Sequence, residues 1–395
     1  MHLDFVSRGF RRDAGIGRRA HCKGKPIVRN SLPWNPEHFT ETPVVSVILF
    51  CKNAAKTLTR SVESVAAQTY KNFEYVVQDA GSTDGTTEII QRYANAIDVR
   101  LVSEPDRGPA DGFWRALQRC RGRILATCLA DEELLPDALE YAVKVFAERP
   151  YLGALTGDAY NTDAKGRVLS THKSGPFSFV RYVAAEYCPY WSSSFFSMQA
   201  LKLVGILDRR WSSDSLEFEI WCRLAKDNEI MYAPKIFSKY SIHPAQLSNF
   251  GERAMAELSS RLQIMRDHVF RPTGVFGADA EAWREQCILL QRVNLLEHLL
   301  PYGGQALDQL RQDIEASPAL RNFLSAKQRG DTEVLGAADT YQTILRRLYG
   351  NVGLQPVFYL LLGMYKRAIP PSLRASISPD LKRRIKRLFR VARIP

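Results

Sequence analysis

A chain of 395 residues, 45% of them hydrophobic, is long enough to bury a large core and to hold more than one domain. Its seven cysteines (Cys22, Cys51, Cys120, Cys128, Cys188, Cys222, Cys287) are odd in number and scattered, never in a CxxC pair or at zinc spacing from a histidine. This argues against a disulfide framework or a structural zinc, and for a reducing compartment. The net charge of +12 is uneven: from Lys366 to the end, ten Lys or Arg residues stand against one acid, Asp380.

Residues 1–42 are basic, rich in Gly and Arg and without period, and read as an extension. No apolar run follows Arg11 and Arg12, so a secretory signal is not expected and a cytoplasmic location is. The fingerprint-like Gly15-Ile-Gly17 run has no strand before it and is set aside. From Pro43 the text alternates strand and helix: strand Val44 to Phe50, helix Thr57 to Gln68, strand Phe73 to Asp79, helix Thr86 to Ala94. Strand Val99 to Ser103, helix Asp111 to Cys120 and strand Ile124 to Leu129 follow. Such alternation predicts an α/β fold around a mainly parallel sheet with helices on both faces. After a helix near Pro136 to Glu148, the segment Gly153 to Ser170 reads as strand, turn and strand, an antiparallel edge element that makes the sheet mixed.

Beyond Phe250 helical patterns dominate, over Glu252–His268, Ala280–Leu300 and Thr332–Tyr349. The expected organisation is an extension (1–42), an α/β domain (43–250), an α-helical region (251–365) and a basic tail (366–395). The most apolar stretch, Val357 to Tyr365, is nine residues long, short of the ~20 that span a bilayer. In the tail Leu381, Ile385, Leu388, Phe389 and Ala392 fall at helical spacing among basic residues. That pattern is either a solvated basic helix or one suited to an anionic membrane surface, which would make the protein peripheral. Nucleic acid would also answer the charge, but no recognition motif supports it.

In open α/β sheets ligands bind beyond the carboxyl ends of the strands. Here those positions carry acids: Asp79 with Asp84, then Glu104, Asp106 and Asp111, then Asp131 and Glu132. With no GxxxxGK[ST] loop, a divalent cation is the expected neutraliser of a bound diphosphate.

From Val44 to Ser248 these blocks, in order, resemble the inverting GT-A glycosyltransferases of glycosyltransferase family 2. The matching segments are Val45–Ile48 with Lys52-Asn53, Gln68–Glu74, Asp79–Thr86, Ser103–Gly108, Leu129–Pro136 and Glu217–Ala225. The resemblance implies a GT-A fold and metal-dependent hexosyl transfer from a nucleotide-diphosphate sugar to a glycan or lipid-linked acceptor, in polysaccharide, glycan or glycolipid synthesis. It implies that Asp79 meets the base, Asp111 and Asp131 the nucleotide sugar, Glu132 and His243 Mn²⁺ or Mg²⁺, and that Glu217 is the general base. The family has Asp where this chain has Glu132 and Glu217, and Trp114 replaces a polar residue. One methylene displaces a carboxyl by ~1 Å, a shift able to cost ~10²-fold in rate. The alternative is therefore a catalytically weakened relative acting as a binding or scaffold protein.

Each position also has a structural reading. Asp84 either touches ligand or caps the helix opening at Thr86. Asp131-Glu132 either serves the ligand or is an acidic helix entry. Glu217 shares a helix face with Ile220, Trp221 and Leu224, where burial raises a carboxyl's pKa as a base requires, or simply forms a buried ion pair; Asp214 is its reserve. Glu219 and Arg223 read as an i,i+4 pair. His243 is a metal ligand or a satisfied loop residue. Of the aromatics Tyr187, Tyr190, Trp191, Phe195 and Phe196, most read as core, and Trp191 is assigned to the acceptor.

Overall fold

The computed structural model describes residues 43–183, 188–206, 215–243, 254–270, 284–285, 287–292, 295 and 304–318. The extension, the basic tail, the helix expected over Thr332–Tyr349, and the positions Tyr187 and Asp214 lie outside them.

Strand β1 (Val45–Cys51) explains the layering. Val45, Val47 and Leu49 pack to one side with Leu58, Val62 and Val65 of helix α1 (Ala55–Ala66), while Ile48 and Phe50 join a second cluster on the other side. A strand covered on both faces needs apolar residues at nearly every position, which is what this run supplies. Strand β2 (Phe73–Asp79), helix α2 (Thr86–Gln91) and strand β3 (Asp98–Ser103) extend the sheet on one side of β1, with Ile90 of α2 on the same face as α1. Helix α3 (Pro109–Arg119), entered through a proline whose missing N–H costs nothing there, crosses to the opposite face and buries Phe113, Trp114, Ala116 and Leu117. Strand β4 (Ile124–Thr127) then lies parallel to β1 on its free side. Strand order reverses between β1 and β4, the place where such sheets open a crevice.

The chain continues through β5 (Glu132–Leu134), α4 (Ala138–Glu148), β6 (Leu152–Thr162), β7 (Val168–His172), α5 (Phe179–Val183), a 3₁₀ turn (Trp191–Ser193) and β8 (Ser194–Ser197). Helices α6 (Met198–Leu203) and α7 (Leu216–Asp227), strand β9 (Glu229–Ser241) and helix α8 (Ala254–Ile264) follow, the last running into a π-helical turn, Met265–Val269. The nine-stranded sheet has the order β3-β2-β1-β4-β8-β6-β9-β5, with β7 on β6. β8 is antiparallel to β4 and to β6, and β6 is parallel to β9, so β1, β2, β4, β6 and β9 all end on one rim. The expected mixed α/β sheet with helices on both faces is thus present.

Two local expectations change. The hairpin over 153–170 was expected at an edge, yet β6 is interior, paired to β8 and β9, and only β7 lies outside it. Residues after Leu129 were expected as loop, but Glu132–Leu134 is a short strand, because β9 offers a free antiparallel partner to a segment with little strand character of its own. Helix α8 and the turn after it pack on α7 within the compact unit that holds the sheet, whereas helix α9 (Gly304–Glu315) belongs to a second unit.

The approach of β4 to β1 depends on Gly122. A Cβ there would stand 2.4 Å from the backbone nitrogen of Ser46 and 2.6 Å from the carbonyl carbon of Val45. Backbone cannot step aside as a side chain can, so Gly122→Ala should destabilise the fold by about 3 kcal/mol. Thermal unfolding would register a drop in Tm of several degrees or loss of folded protein, and an unchanged Tm would refute it.

Candidate active site

On the β1–β2–β3 side of the rim the acids hold loops. Asn53, at φ 50 in the left-handed region that Asn tolerates, donates its N–H to Ser82 Oγ at 2.7 Å and accepts from Thr83 N–H at 3.0 Å. Asp79, fully buried, accepts from Ser82 N–H at 2.9 Å, from the Ser82 hydroxyl and from Ser103 Oγ at 2.5 Å. Its carboxylate thereby pins the loop after β2 to the end of β3. Asp84 accepts from Thr86 N–H at 3.2 Å and Ala55 N–H at 3.0 Å, so one carboxylate caps the first residues of both α2 and α1. Asp111, 6% exposed, is forked between Arg107 Nη2 at 3.1 Å and Arg115 Nε at 3.0 Å. Burial alone would raise its pKa, but the hydrogen bonds from Arg107 and the charges of Arg115 and Arg107 hold it below the usual range.

Where the strand order reverses, the geometry separates the two neighbouring acids. The antiparallel register of β5 on β9 sets Glu132 opposite Tyr240, which brings His243, just beyond β9, to the residues preceding β5. His243 Nε2 consequently meets Asp131 Oδ2 at 3.0 Å. Glu132 points inward instead: it is 3% exposed and its Oε2 accepts from Leu129 N–H at 2.8 Å. Burial first, then the charge of Asp131, raises the Glu132 pKa to about 8, with a smaller contribution from Glu217. Among the described residues no group of three or more His, Cys, Asp or Glu side chains is arranged to hold a metal ion. The protein therefore offers a pair, one carboxylate oxygen and one imidazole nitrogen, which fits a divalent cation completed by phosphate oxygens and water.

Helix α7 runs down into β9, which places its first turn at the same rim. Ile220, Trp221 and Leu224 are buried as the helical spacing predicts, and Glu217 is half-buried beside them. Burial raises the Glu217 pKa to about 7, against lowering contributions from Cys188, Arg261 and Trp221. The Glu219–Arg223 pair forms as expected, almost fully buried. Cys188, an exposed residue, has its Sγ 3.6 Å from Glu217 Oε1. Burial and the Glu217 charge push the Cys188 thiol well up, so iodoacetamide should react slowly near neutral pH, but carbamidomethylation at alkaline pH should crowd Glu217 and lower turnover by at least roughly tenfold. The Cys188→Ser protein should resist the reagent, and equal sensitivity of the two would dismiss the contact.

Trp191, assigned to the acceptor, is 9% exposed and sits below the rim, its ring 5.7 Å from Phe113 and 5.3 Å from Phe196. Phe195 and Phe196 are wholly core. The aromatic surface at the rim joins Tyr190, one of the aromatics of that cluster, to two residues not singled out: Tyr190 stacks on His172 at 3.9 Å and lies 4.6 Å from Tyr240. Tyr190 also donates its hydroxyl to Asn161 Oδ1 at 3.0 Å, and His172 Nε2 lies 3.0 Å from the Cys188 carbonyl. The alternation of β6, β7 and β9 puts these rings together, and no local sequence signal marks His172.

Where the strand order reverses, the rim thus holds an acid–imidazole pair, with a half-buried carboxyl whose pKa burial raises on the first turn of α7. Residues 46–200 match the family described as "Glycosyl transferase family 2", and this stretch is a glycosyltransferase family 2 domain. The chain is similar to a chondroitin synthase of Escherichia coli, 27% identical over 203 residues, 51% of this chain and 29% of that protein. It is also similar to a poly-beta-1,6-N-acetyl-D-glucosamine synthase of Staphylococcus epidermidis, 28% identical over 230 residues, 54% of this chain and 53% of that one. The match spans less than a third of the chondroitin synthase and about half of the other. A solved mannosyltransferase of Pyrobaculum calidifontis, in complex with GDP-Man and Mn²⁺, is 18% identical with a TM-score of 0.47, over 88% of this chain and 99% of that one.

Proposed function

We propose that this glycosyltransferase is an inverting enzyme that moves a hexosyl unit from a nucleotide-diphosphate sugar to a hydroxyl of a glycan or lipid-linked acceptor, in the building of a polysaccharide or glycolipid. The observation that carries the reading is Glu217: a carboxyl with its pKa raised to about 7 stands on the rim that also holds Asp131 and His243. A base is most effective when its pKa lies near the working pH. Asp111 and Asp131 flank the nucleotide sugar, and Asp79 acts on the base through the loop it pins. Asp131 with His243, rather than the inward-facing Glu132, would hold Mn²⁺ or Mg²⁺. A cation there would supply charge neutralisation for the departing diphosphate.

Glu217 takes the proton of the acceptor hydroxyl as its oxygen bonds to the anomeric carbon. The bond from that carbon to the diphosphate oxygen breaks on the opposite face, the nucleoside diphosphate leaves with the electron pair, and configuration inverts. The acceptor sugar rests beside Tyr190 and Tyr240, with Trp191 as the packed floor beneath. For localisation the reading is cytoplasmic, with the basic segment 366–395 suited to an anionic bilayer bearing lipid-linked acceptors.

A panel of nucleotide sugars with Mn²⁺ and simple glycan acceptors, read by released nucleotide, tests the proposal. Turnover of one donor, lost in Glu217→Ala and Asp131→Ala, is expected. The second reading, a weakened relative that binds nucleotide without transfer, is favoured by the inward turn of Glu132. It would be upheld by tight metal-dependent nucleotide binding with no turnover of any donor.

A further inference from the structure

Arg261 lies in helix α8, in the stretch expected to be an appendage to the α/β domain. Its guanidinium sits 5.4 Å above the ring of Phe218, the residue next to Glu217. Two groups fix it there: Glu257 Oε1 accepts from Nε at 2.7 Å, and Gln291 Oε1 accepts from Nη1 at 3.2 Å. Gln291, 1% exposed, in turn donates to the Val183 carbonyl of α5 at 2.7 Å. The carbonyl of Glu257 accepts from the Ser215 hydroxyl at 3.1 Å, at the residue preceding α7. The guanidinium thus links Phe218 of α7 to α8 and, through Gln291, to α5, while the Glu257 carbonyl holds the residue before α7.

We propose that Arg261 is a positioning residue for the transfer reaction, holding the first turn of α7 so that Glu217 faces the acceptor, and that α8 is accordingly part of the transferase machinery. The proposal rests on the reading of Glu217 as the base. Arginine suits the task because its planar fork stacks on an aromatic face while its N–H groups bind two partners. A like arrangement with only apolar groups would pack the helices without acting on the carboxyl. Here the fixed positive charge favours the ionised form of Glu217 against burial, which favours the neutral one.

The groups that act on Glu217 come from every element around it. Arg261 favours its charge, as does the Cys188 thiol, whose Sγ is 3.6 Å from Oε1, whereas Glu257 opposes it. Tyr182 of α5 and Glu132 of β5 also feel the Glu217 charge. Neutralising Arg261 and neutralising Glu257 should therefore move the Glu217 titration in opposite directions. Mere loosening of the helices would admit water and move it downward in both cases, so the sign separates positioning with charge from simple packing.

The experiment is a difference infrared titration of the carboxyl band that is present in the wild-type chain and missing from Glu217→Gln. It needs no substrate and is repeated for Arg261→Met, Arg261→Lys and Glu257→Gln. The expected result is a wild-type midpoint near 7, an upward move in Arg261→Met, restoration in Arg261→Lys and a downward move in Glu257→Gln. In parallel, nucleotide release from the donor that the chain turns over should fall ~10-fold or more in kcat for Arg261→Met with KM for donor little changed. If Arg261→Met does not fold, Arg261→Gln, which also removes the charge, is titrated in its place, and a wild-type or lowered midpoint there overturns the proposal. An unmoved midpoint and kcat in Arg261→Met also overturns it, while full kcat in Glu217→Gln instead overturns the base assignment.

Discussion

Glu217→Gln is expected to lower kcat by ~10² to 10⁴-fold, the usual contribution of a positioned general base, with KM for the donor close to wild type. The amide keeps the shape and the hydrogen bonds to its neighbours but cannot accept the acceptor's proton. The pH profile gives the sharper measurement. Burial places the Glu217 pKa at about 7, so its ionised, competent form is scarce at acid pH and predominates above neutrality. In the wild-type chain kcat should rise with pH and level off above about 7, and in Glu217→Gln that acidic limb should vanish. An identical limb in the variant would assign it to another group and remove Glu217 from the reaction.

Asp131→Ala should be the other severe change, roughly 10³-fold in kcat/KM, the rate equivalent of about 4 kcal/mol. The reasoning is geometric. Of the two adjacent acids after β4, Asp131 meets His243 at 3.0 Å on the rim, while Glu132 is turned to the Leu129 N–H beneath it. Isothermal titration of a nucleoside diphosphate with and without Mn²⁺ should show that wild type gains affinity from the metal and that Asp131→Ala does not. His243→Ala should lose most of the same gain. Glu132→Gln, whose carboxyl is already expected to be neutral at pH 7, should keep it. Metal-enhanced binding lost in Glu132→Gln but kept in Asp131→Ala would reverse the assignment.

The parallel core was legible because strands buried on two faces spell themselves out: β1 is a nearly continuous apolar run, and β2, centred on Tyr75, Val76 and Val77, falls on the residues expected, Phe73–Asp79. The acids at their ends were legible for the same reason, since a strand's end fixes where its next residue lies. The Glu219–Arg223 pair follows from helical spacing alone. Less legible were β5, whose three residues pair only because β9 passes by, and the interior place of β6, which depends on β8 entering between it and β4.

The sequence by itself determined the α/β class, the rim of carboxylates and the apolar face on which Glu217 stands, because each follows from periodicity within one element. Only the tertiary structure decided which acid meets His243, that Trp191 is floor while Tyr190, His172 and Tyr240 form the aromatic surface, and that Arg261 reaches the turn carrying Glu217. Those outcomes depend on register between strands and on packing between helices far apart in the chain. A one-residue step in register turns a side chain to the other face, and no local pattern near Asp131 or Glu132 specifies that step.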